Sequence, residues 1–455
     1  MRRSLDRFVG ALCRFVLGIF FRRIEVVGRD RLPSGGPLVV VANHVNGLID
    51  PMFVVGPLGL EVRLLGKSTL WRIPGLRWLL DLAGAVPVHR PGDPGVDTAR
   101  NVETFDRCHR VLAAGGSLAI FPEGISHDEP QLQPLRTGAA RIVLEAERRL
   151  GPLGVRILPV GLVFEERTRF RSRALVVVGE PIDPTPEIAA ARQDESAAVR
   201  VLTARIAAAL AGVTLNYPSW EDARLIERGA DVWHRDHSDL PERRPLAAGF
   251  EVRRALAGGL ASLRDQHPDE VAAAVEAVRD YEALLGATGL TDAQVAARWR
   301  WGAGFAFGLR TVARLLVASP VALLGTALNV VPWTAIALIS RRVREEPNQI
   351  ATYKIFASLV FYPAAWVAAG WLAARALGTG AGVVLGLLGL PAGWVALRWH
   401  ERRGVLWRQS RAFLLFAARR PVALELRARR FRVEEEIDRL TERWRALQDE
   451  ASSRA

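Results

Sequence analysis

Three apolar stretches late in the chain set the strongest limit on how it can fold. Residues 315–339 (LLVASPVALLGTALNVVPWTAIALI) carry no charge, and residues 355–374 and 379–397 are each near the ~20 residues a helix needs to cross a bilayer. One such run is compatible with a buried core helix, whereas three in succession point to membrane insertion. Arg310 and Arg314 precede the first run, Arg341, Arg342, Arg344 and Lys354 follow it, and Arg398, Arg402 and Arg403 follow the last. If basic flanks stay cytoplasmic, both ends of 315–339 lie on one side. The expectation is a membrane region over 310–400, with 315–339 as a hairpin or re-entrant helix bent at Pro320 and Pro332. Only 355–374 and 379–397 then cross fully.

The rest of the chain has a different character. Of its 455 residues 50% are hydrophobic and 24% charged, and the mean hydropathy is +0.12. A charged soluble part joined to strongly apolar segments accounts for that mixture. The net charge is +13, carried almost wholly by arginine, since Lys67 and Lys354 are the only lysines. A codon bias toward high GC accounts for the arginine preference. The excess of positive charge still suits anionic headgroups, which attract basic residues by roughly 1 kcal/mol each near the surface. No nucleic-acid module is recognisable, so nucleic acid is not expected as a partner. Cys13 and Cys108 are the only cysteines; they form no metal-binding pattern, and they fit a reducing compartment. Residues 5–21 are apolar but interrupted by Arg7 and Arg14, with no small-residue cleavage site after them. They read as an interfacial helix within residues 1–23, with Arg22 and Arg23 at the headgroups; a simple packed helix is the alternative.

From residue 24 the pattern changes to short apolar runs: IEVVG, PLVVVAN, VRLLG (62–66), AVPV (85–88), SLAIF (117–121), VRILPVGLVF (155–164) and ALVVVG (174–179). Helical periodicity separates them at about 68–82, 95–114, 138–149 and 196–212. Strands alternating with helices predict an α/β domain over 24–215. Residues 216–300 are polar and helical in period, with Pro241 and Pro245 separating two runs, and read as a helical extension. Residues 405–455 read as a basic amphipathic helical tail, at the membrane surface or packed on the cytoplasmic domain.

Chemistry concentrates in two places. VVVANHVNGLIDP sets Asn43, His44 and Asp50 just after a strand, and Asn46-Gly47 permits the tight turn that lets the histidine meet the carboxylate. A carboxylate on one ring nitrogen fixes the tautomer and leaves the other nitrogen basic, the arrangement of a general base. Taken alone, the pair is equally compatible with a structural histidine. AIFPEGISHDEP then puts Glu123 and Gly124 in a turn at the end of another strand, where backbone N–H groups favour a polar or phosphorylated substrate. Ser126, His127 and Asp128 are consecutive, so they cannot form a hydrolase triad; His127 and Asp128 read as structural or substrate-binding.

NHxxxxxD, an arginine after a strand, FPEG, and a late strand containing a proline, in that order over 24–215, resemble the four blocks of the PlsC-like glycerophospholipid acyltransferases. The resemblance implies a central mixed sheet flanked by helices. It implies His44 as general base oriented by Asp50, with Asn43 beside it among the substrate-binding residues. It further implies Arg90 (in AGAVPVHRPGD) on the acceptor phosphate, Glu123 and Gly124 on the acceptor, Arg136 (in LQPLRTGAARI) as a second phosphate contact, and Pro159 (in ILPVGL) near the acyl donor. Acyl-CoA or acyl carrier protein is the implied co-substrate, with no metal and no cofactor. Five residues separate His44 from Asp50, against four in the commonest block, and FPEG continues as Ile-Ser-His-Asp. Both features are similar to the fungal-type glycerol-3-phosphate and dihydroxyacetone-phosphate branch, which also carries C-terminal membrane segments. The acceptor therefore stays open between glycerol 3-phosphate and 1-acylglycerol 3-phosphate. Lysophospholipid remodelling, ornithine-lipid acylation and a membrane scaffold with a vestigial domain are the competing readings. The expected location is the cell membrane with the catalytic domain cytoplasmic.

Overall fold

The seven apolar runs of the first half become the seven strands of one sheet. They are β1 (Arg23–Val27), β2 (Leu38–Ala42), β3 (Val62–Lys67), β4 (Val86–Val88), β5 (Ser117–Ile120), β6 (Arg156–Phe164) and β7 (Arg173–Val178). Their order is β1-β7-β6-β2-β5-β3-β4. Every neighbouring pair is parallel except β6 and β7, so the sheet is mixed, as expected. All five residues of β2 are buried, which is why that strand reads as a continuous apolar run rather than an alternating one. The computed structural model describes residues 2–73, 75–90, 97–233, 245–297, 301–342 and 347–454. Arg344, Pro241 and residues 91–93 of the AGAVPVHRPGD motif lie outside these.

Seven helices accompany the sheet: α1 (Arg2–Phe20), α2 (Ile49–Val55), α3 (Leu76–Ala83), α4 (Asn101–Ala113), α5 (Gly138–Leu150), α6 (Thr185–Ala190) and α7 (Glu195–Val213). The core joins Val39 and Val41 of β2 with Leu112, Val143, Ile157 and Leu175 from its surroundings. Helix α7 is long and apolar enough to cross a membrane. It instead buries Ala198, Leu202, Ile206 and Leu210 in that core, one face at helical spacing. Its start is capped by Asp194, whose carboxylate accepts the Ala197 N–H at 2.9 Å.

Two compact units emerge from the packing. The first comprises Met1–Trp220 with two short segments, Pro245–Phe250 and Glu346–Thr352. The second holds most of α8 (Trp220–Trp233), α9 (Leu246–Gln266), α10 (Pro268–Thr288), α11 (Asp292–Ala296), α12 (Trp301–Arg342), α13 (Pro347–Leu377), α14 (Thr379–Ala418) and α15 (Arg420–Arg454). Helix α10 buries Val271, Ala274, Val278, Tyr281 and Leu285, while α15 buries Ala423, Leu426, Arg430, Val433, Ile437 and Leu440. Both series step alternately by three and four, the 3.5-residue period of a coiled-coil seam. Arg443 pairs with Glu270, and Arg429 donates to the Asp280 carbonyl, so the two helices run antiparallel. The polar extension and the basic tail, distant in sequence, thus form one bundle.

The apolar region departs from expectation in one respect. Residues 315–339 are not a hairpin: α12 runs unbroken from Trp301 to Arg342, through Pro320 and Pro332. A proline removes the N–H that would bond the carbonyl four residues back. At Pro320 that carbonyl belongs to Leu316, and the Ser319 hydroxyl donates to it at 2.8 Å, repairing the break as serine does in apolar helices. Asn329 of α12 donates to the Gly389 carbonyl of α14 at 3.3 Å and accepts from Trp366 Nε1 of α13 at 2.9 Å. Helices α12, α13 and α14 are each long and apolar enough to span a bilayer.

Candidate active site

The carboxyl ends of β2, β5, β3 and β4 share one edge of the sheet because these strands are parallel neighbours. Ligands of open α/β sheets bind in the crevice outside that edge. His44 follows β2, the Phe121–Gly124 turn follows β5, and Arg90 follows β4.

His44 Nδ1 lies 3.0 Å from Asp50 Oδ2, as the spacing predicted. Asp50 sits in the first turn of α2 and is fully buried. The same Oδ2 also accepts the Val45 and Asn46 N–H groups at 2.8 and 2.7 Å. An oxygen gathering two backbone donors serves as an acceptor toward the ring as well, so the imidazole proton resides on Nδ1 and the Nε2 lone pair stays available. Among the described residues nothing hydrogen-bonds Nε2. The ring stacks on Phe121 with centroids 4.4 Å apart, which limits its rotation. A fixed tautomer, a held ring and an unspent basic nitrogen are what proton abstraction from a hydroxyl requires.

Glu123 makes several contacts within the protein. Its side chain is wholly buried, with Oε1 accepting the His44 N–H at 2.7 Å and Oε2 accepting the Gln133 N–H at 2.9 Å. His127 Nε2 also bonds Oε2. Because His127 Nδ1 accepts the Glu129 N–H at 3.1 Å, the proton of that ring lies on Nε2, facing the carboxylate. Glu123 therefore braces the His44 backbone. Two further residues of the expected site also make contacts within the protein. Asn43 pairs its side-chain amide with both backbone groups of Leu162, at 3.1 and 2.7 Å, extending the β2–β6 ladder where backbone pairing stops at Ala42. Pro159 is buried mid-strand in β6; its carbonyl accepts from Gly179, just past the end of β7.

Gly124 and Arg136 do meet. Gly124 has φ +77, and a Cβ there would lie 3.1 Å from Arg136 Cγ. The Arg136 N–H donates to the Pro122 carbonyl at 2.7 Å. Its exposed side chain precedes the Thr137 cap of α5, where free N–H groups favour anions. Arg90 follows His89, whose backbone is pinned on both sides by the Asn101 amide at 2.9 and 2.7 Å.

Arg167 was not singled out in the sequence. Its guanidinium donates to the Val45 carbonyl at 3.2 Å and pairs with Asp128, and it lies over the Trp220 ring. Burial lowers its pKa, opposed by the negative charge of Asp50. No local signal marks it, since the contacts come from a loop more than a hundred residues from His44. Ser126, His127 and Asp128 turn to different partners (Gly47 N–H, Glu123 and Arg167), as expected of consecutive residues. Burial pushes the Cys108 thiol up to about 12 and the Cys13 thiol up to about 11, so neither is an activated nucleophile.

Residues 23–163 match the family model described as Acyltransferase. Those residues resemble an acyltransferase domain. The chain is similar to glycerol-3-phosphate O-acyltransferase 2 of Saccharomyces cerevisiae, 33% identical over 43% of this chain and 26% of that protein. It is also similar to a chloroplastic 1-acyl-sn-glycerol-3-phosphate acyltransferase of Brassica napus, 27% identical over 36% of this chain and 43% of that one. The chain spans between about a quarter and about half the length of the curated relatives it matches. The crystal structure of the 1-acyl-sn-glycerophosphate acyltransferase PlsC of Thermotoga maritima overlays 47% of this chain and 78% of its own at 20% identity, with a TM-score of 0.35. That overlay is too loose to add to the fold seen directly.

Proposed function

We propose that this domain moves a fatty acyl group from an acyl thioester to a hydroxyl of glycerol 3-phosphate or 1-acylglycerol 3-phosphate, in phospholipid synthesis. The observation that carries the reading is the His44–Asp50 pair, with Nδ1 held and Nε2 unspent. The acceptor hydroxyl gives its proton to His44 Nε2 as its oxygen attacks the thioester carbonyl. The tetrahedral intermediate collapses, and the thiolate of CoA or acyl carrier protein leaves with the proton returned from the imidazolium. The step balances without a metal or prosthetic group. Asp50 holds the ring and offsets the imidazolium charge. Arg136 at the start of α5, with Arg90, supplies bidentate donors for the acceptor phosphate, for which guanidinium suits better than ammonium.

The membrane gives the donor and product a place to reside. Helix α1 exposes Phe8, Leu12 and Phe15, spaced for one helix face, and we assign that face to the bilayer interface. The apolar helices and the two free thiols support a cell-membrane protein whose catalytic unit lies in a reducing, cytoplasmic setting. Anionic lipids are the expected surroundings.

The test is an assay of the full chain in membranes, with acyl-CoA or acyl carrier protein as donor and a panel of acceptors, and positional analysis of the product. His44→Ala should lower thioester consumption by on the order of 10⁴-fold. Consumption independent of His44 sinks the mechanism, and turnover only with an unphosphorylated acceptor sinks the substrate assignment.

A further inference from the structure

Each backbone N–H from His44 to Ile49 has a definite acceptor. His44 donates to Glu123, Val45 and Asn46 to Asp50, and Ile49 to the Asn46 carbonyl at 3.0 Å. These four are met by the two motifs themselves. A five-residue turn carries more N–H groups than one carboxylate and one helical bond can satisfy, and Gly47 and Leu48 are left over. Gly47 donates to Ser126 Oγ at 3.1 Å and Leu48 to Thr352 Oγ1 at 3.1 Å.

Both acceptors lead to the first turns of α13. Thr352 is there itself. Asn348, four residues earlier on the same helix face, donates through Nδ2 to the Ser126 carbonyl at 2.8 Å and to Ser126 Oγ at 3.2 Å. The approach is close enough to demand glycine at 47. That residue has φ +45, and a Cβ on it would lie 2.8 Å from Thr352 Oγ1 and 3.1 Å from the Asn348 carbonyl oxygen. Without Thr352 the Leu48 N–H of this part-buried turn would lack its acceptor, and without Asn348 the Ser126 hydroxyl that takes the Gly47 N–H would lose its anchor. A turn in that state has other conformations to relax into.

The geometry points to Asn348 and Thr352 as positioning residues for acyl transfer: the start of α13 clamps the Gly47–Leu48 turn and thereby sets where Asp50 holds the His44 ring. This rests on the reading of His44 as the base. His44 itself stays anchored by β2 and Glu123, so loosening the turn moves the carboxylate relative to the ring rather than removing either. Neither Asn348 nor Thr352 contacts the reacting atoms. Their loss is therefore felt in turnover and not in substrate affinity. The helix that provides the clamp also carries the apolar run 355–374, so the same element that suits a bilayer completes the turn.

The experiment uses the full chain in nanodiscs and compares Thr352→Val, which keeps the shape and loses the acceptor, with Thr352→Ser, which keeps the acceptor. Thr352→Val should lower kcat by roughly 10- to 100-fold, the scale of a sub-ångström to ångström misplacement, with KM for both substrates unchanged within about twofold. Thr352→Ser should restore most of the rate. Amide hydrogen exchange on the same samples should show residue 48 losing protection in Thr352→Val but not in Thr352→Ser, while β2 and β5 keep theirs. Unchanged kcat with unchanged exchange overturns the clamp, as does a rise in KM at constant kcat. If the wild-type chain shows no His44-dependent turnover, the acyl-transfer reading fails. In that case the exchange of residue 48 still decides whether α13 holds the turn.

Discussion

Asp50 in the first unit and Asp292 in the second are both buried aspartates in the first turn of a short helix. Each gathers donors on one oxygen. Asp50 Oδ2 holds His44 and two backbone N–H groups, while Asp292 Oδ1 holds the Tyr281 hydroxyl at 2.8 Å and Arg430 Nε at 3.1 Å. The difference is what the partner has left to offer. His44 keeps an unspent ring nitrogen, whereas Arg430 spends Nη1 on Glu434 and Nη2 on the Val232 carbonyl. One carboxylate thus leaves its partner the free ring nitrogen on which the proposed base rests, and the other locks α8, α10, α11 and α15 together. A buried carboxylate with a cationic or ring partner is therefore no mark of an active site; an unspent group beyond it is.

That contrast can be broken by substitution. The largest expected effect is on Asp50→Asn, which should lower kcat by on the order of 10⁴-fold, because the amide favours the wrong histidine tautomer. Its thermal unfolding, followed in parallel, should show a change of only about 1 kcal/mol. Asp292→Ala should do the reverse. Breaking a buried ion pair costs about 3–5 kcal/mol, so the melting transition should fall while kcat per folded molecule stays within about twofold. A loss of kcat at unchanged stability in that variant would erase the distinction between the two aspartates. The smallest effect belongs to the exposed Arg136: its alanine variant should raise KM for a phosphorylated acceptor by roughly 10- to 100-fold, the worth of a charge-assisted hydrogen bond, and spare an unphosphorylated one. Acceptor titration at fixed donor reads this directly.

The motif residues were legible to different depths. His44 and Asp50 are six positions apart, and a strand followed by Asn-Gly brings them together through local geometry alone. Asn43, Glu123 and Pro159 were recognised as belonging to the site blocks, but the contacts they make with the protein were not foreseen. The blocks mark where chain elements end, and at a strand end a polar side chain can serve either a ligand or an orphaned backbone group. Pro320 and Pro332 misled for a related reason: proline breaks helices in water, but a hydroxyl one residue earlier satisfies the carbonyl that Pro320 frees.

By itself the sequence determined the seven strands, the alternation with helices, the His44–Asp50 pair and the apolar helices of the second half. Each rests on a local period or a short turn, and local patterns survive without knowledge of neighbours. Only the tertiary structure decided that Asn43 meets Leu162, that Glu123 braces His44, that the polar extension and the basic tail share one seam, and that Thr352 completes the turn before Asp50. Those outcomes join residues as many as 304 positions apart. They depend on which strand lies beside which and on which helix face is left to satisfy a buried N–H, and no period along the chain encodes that.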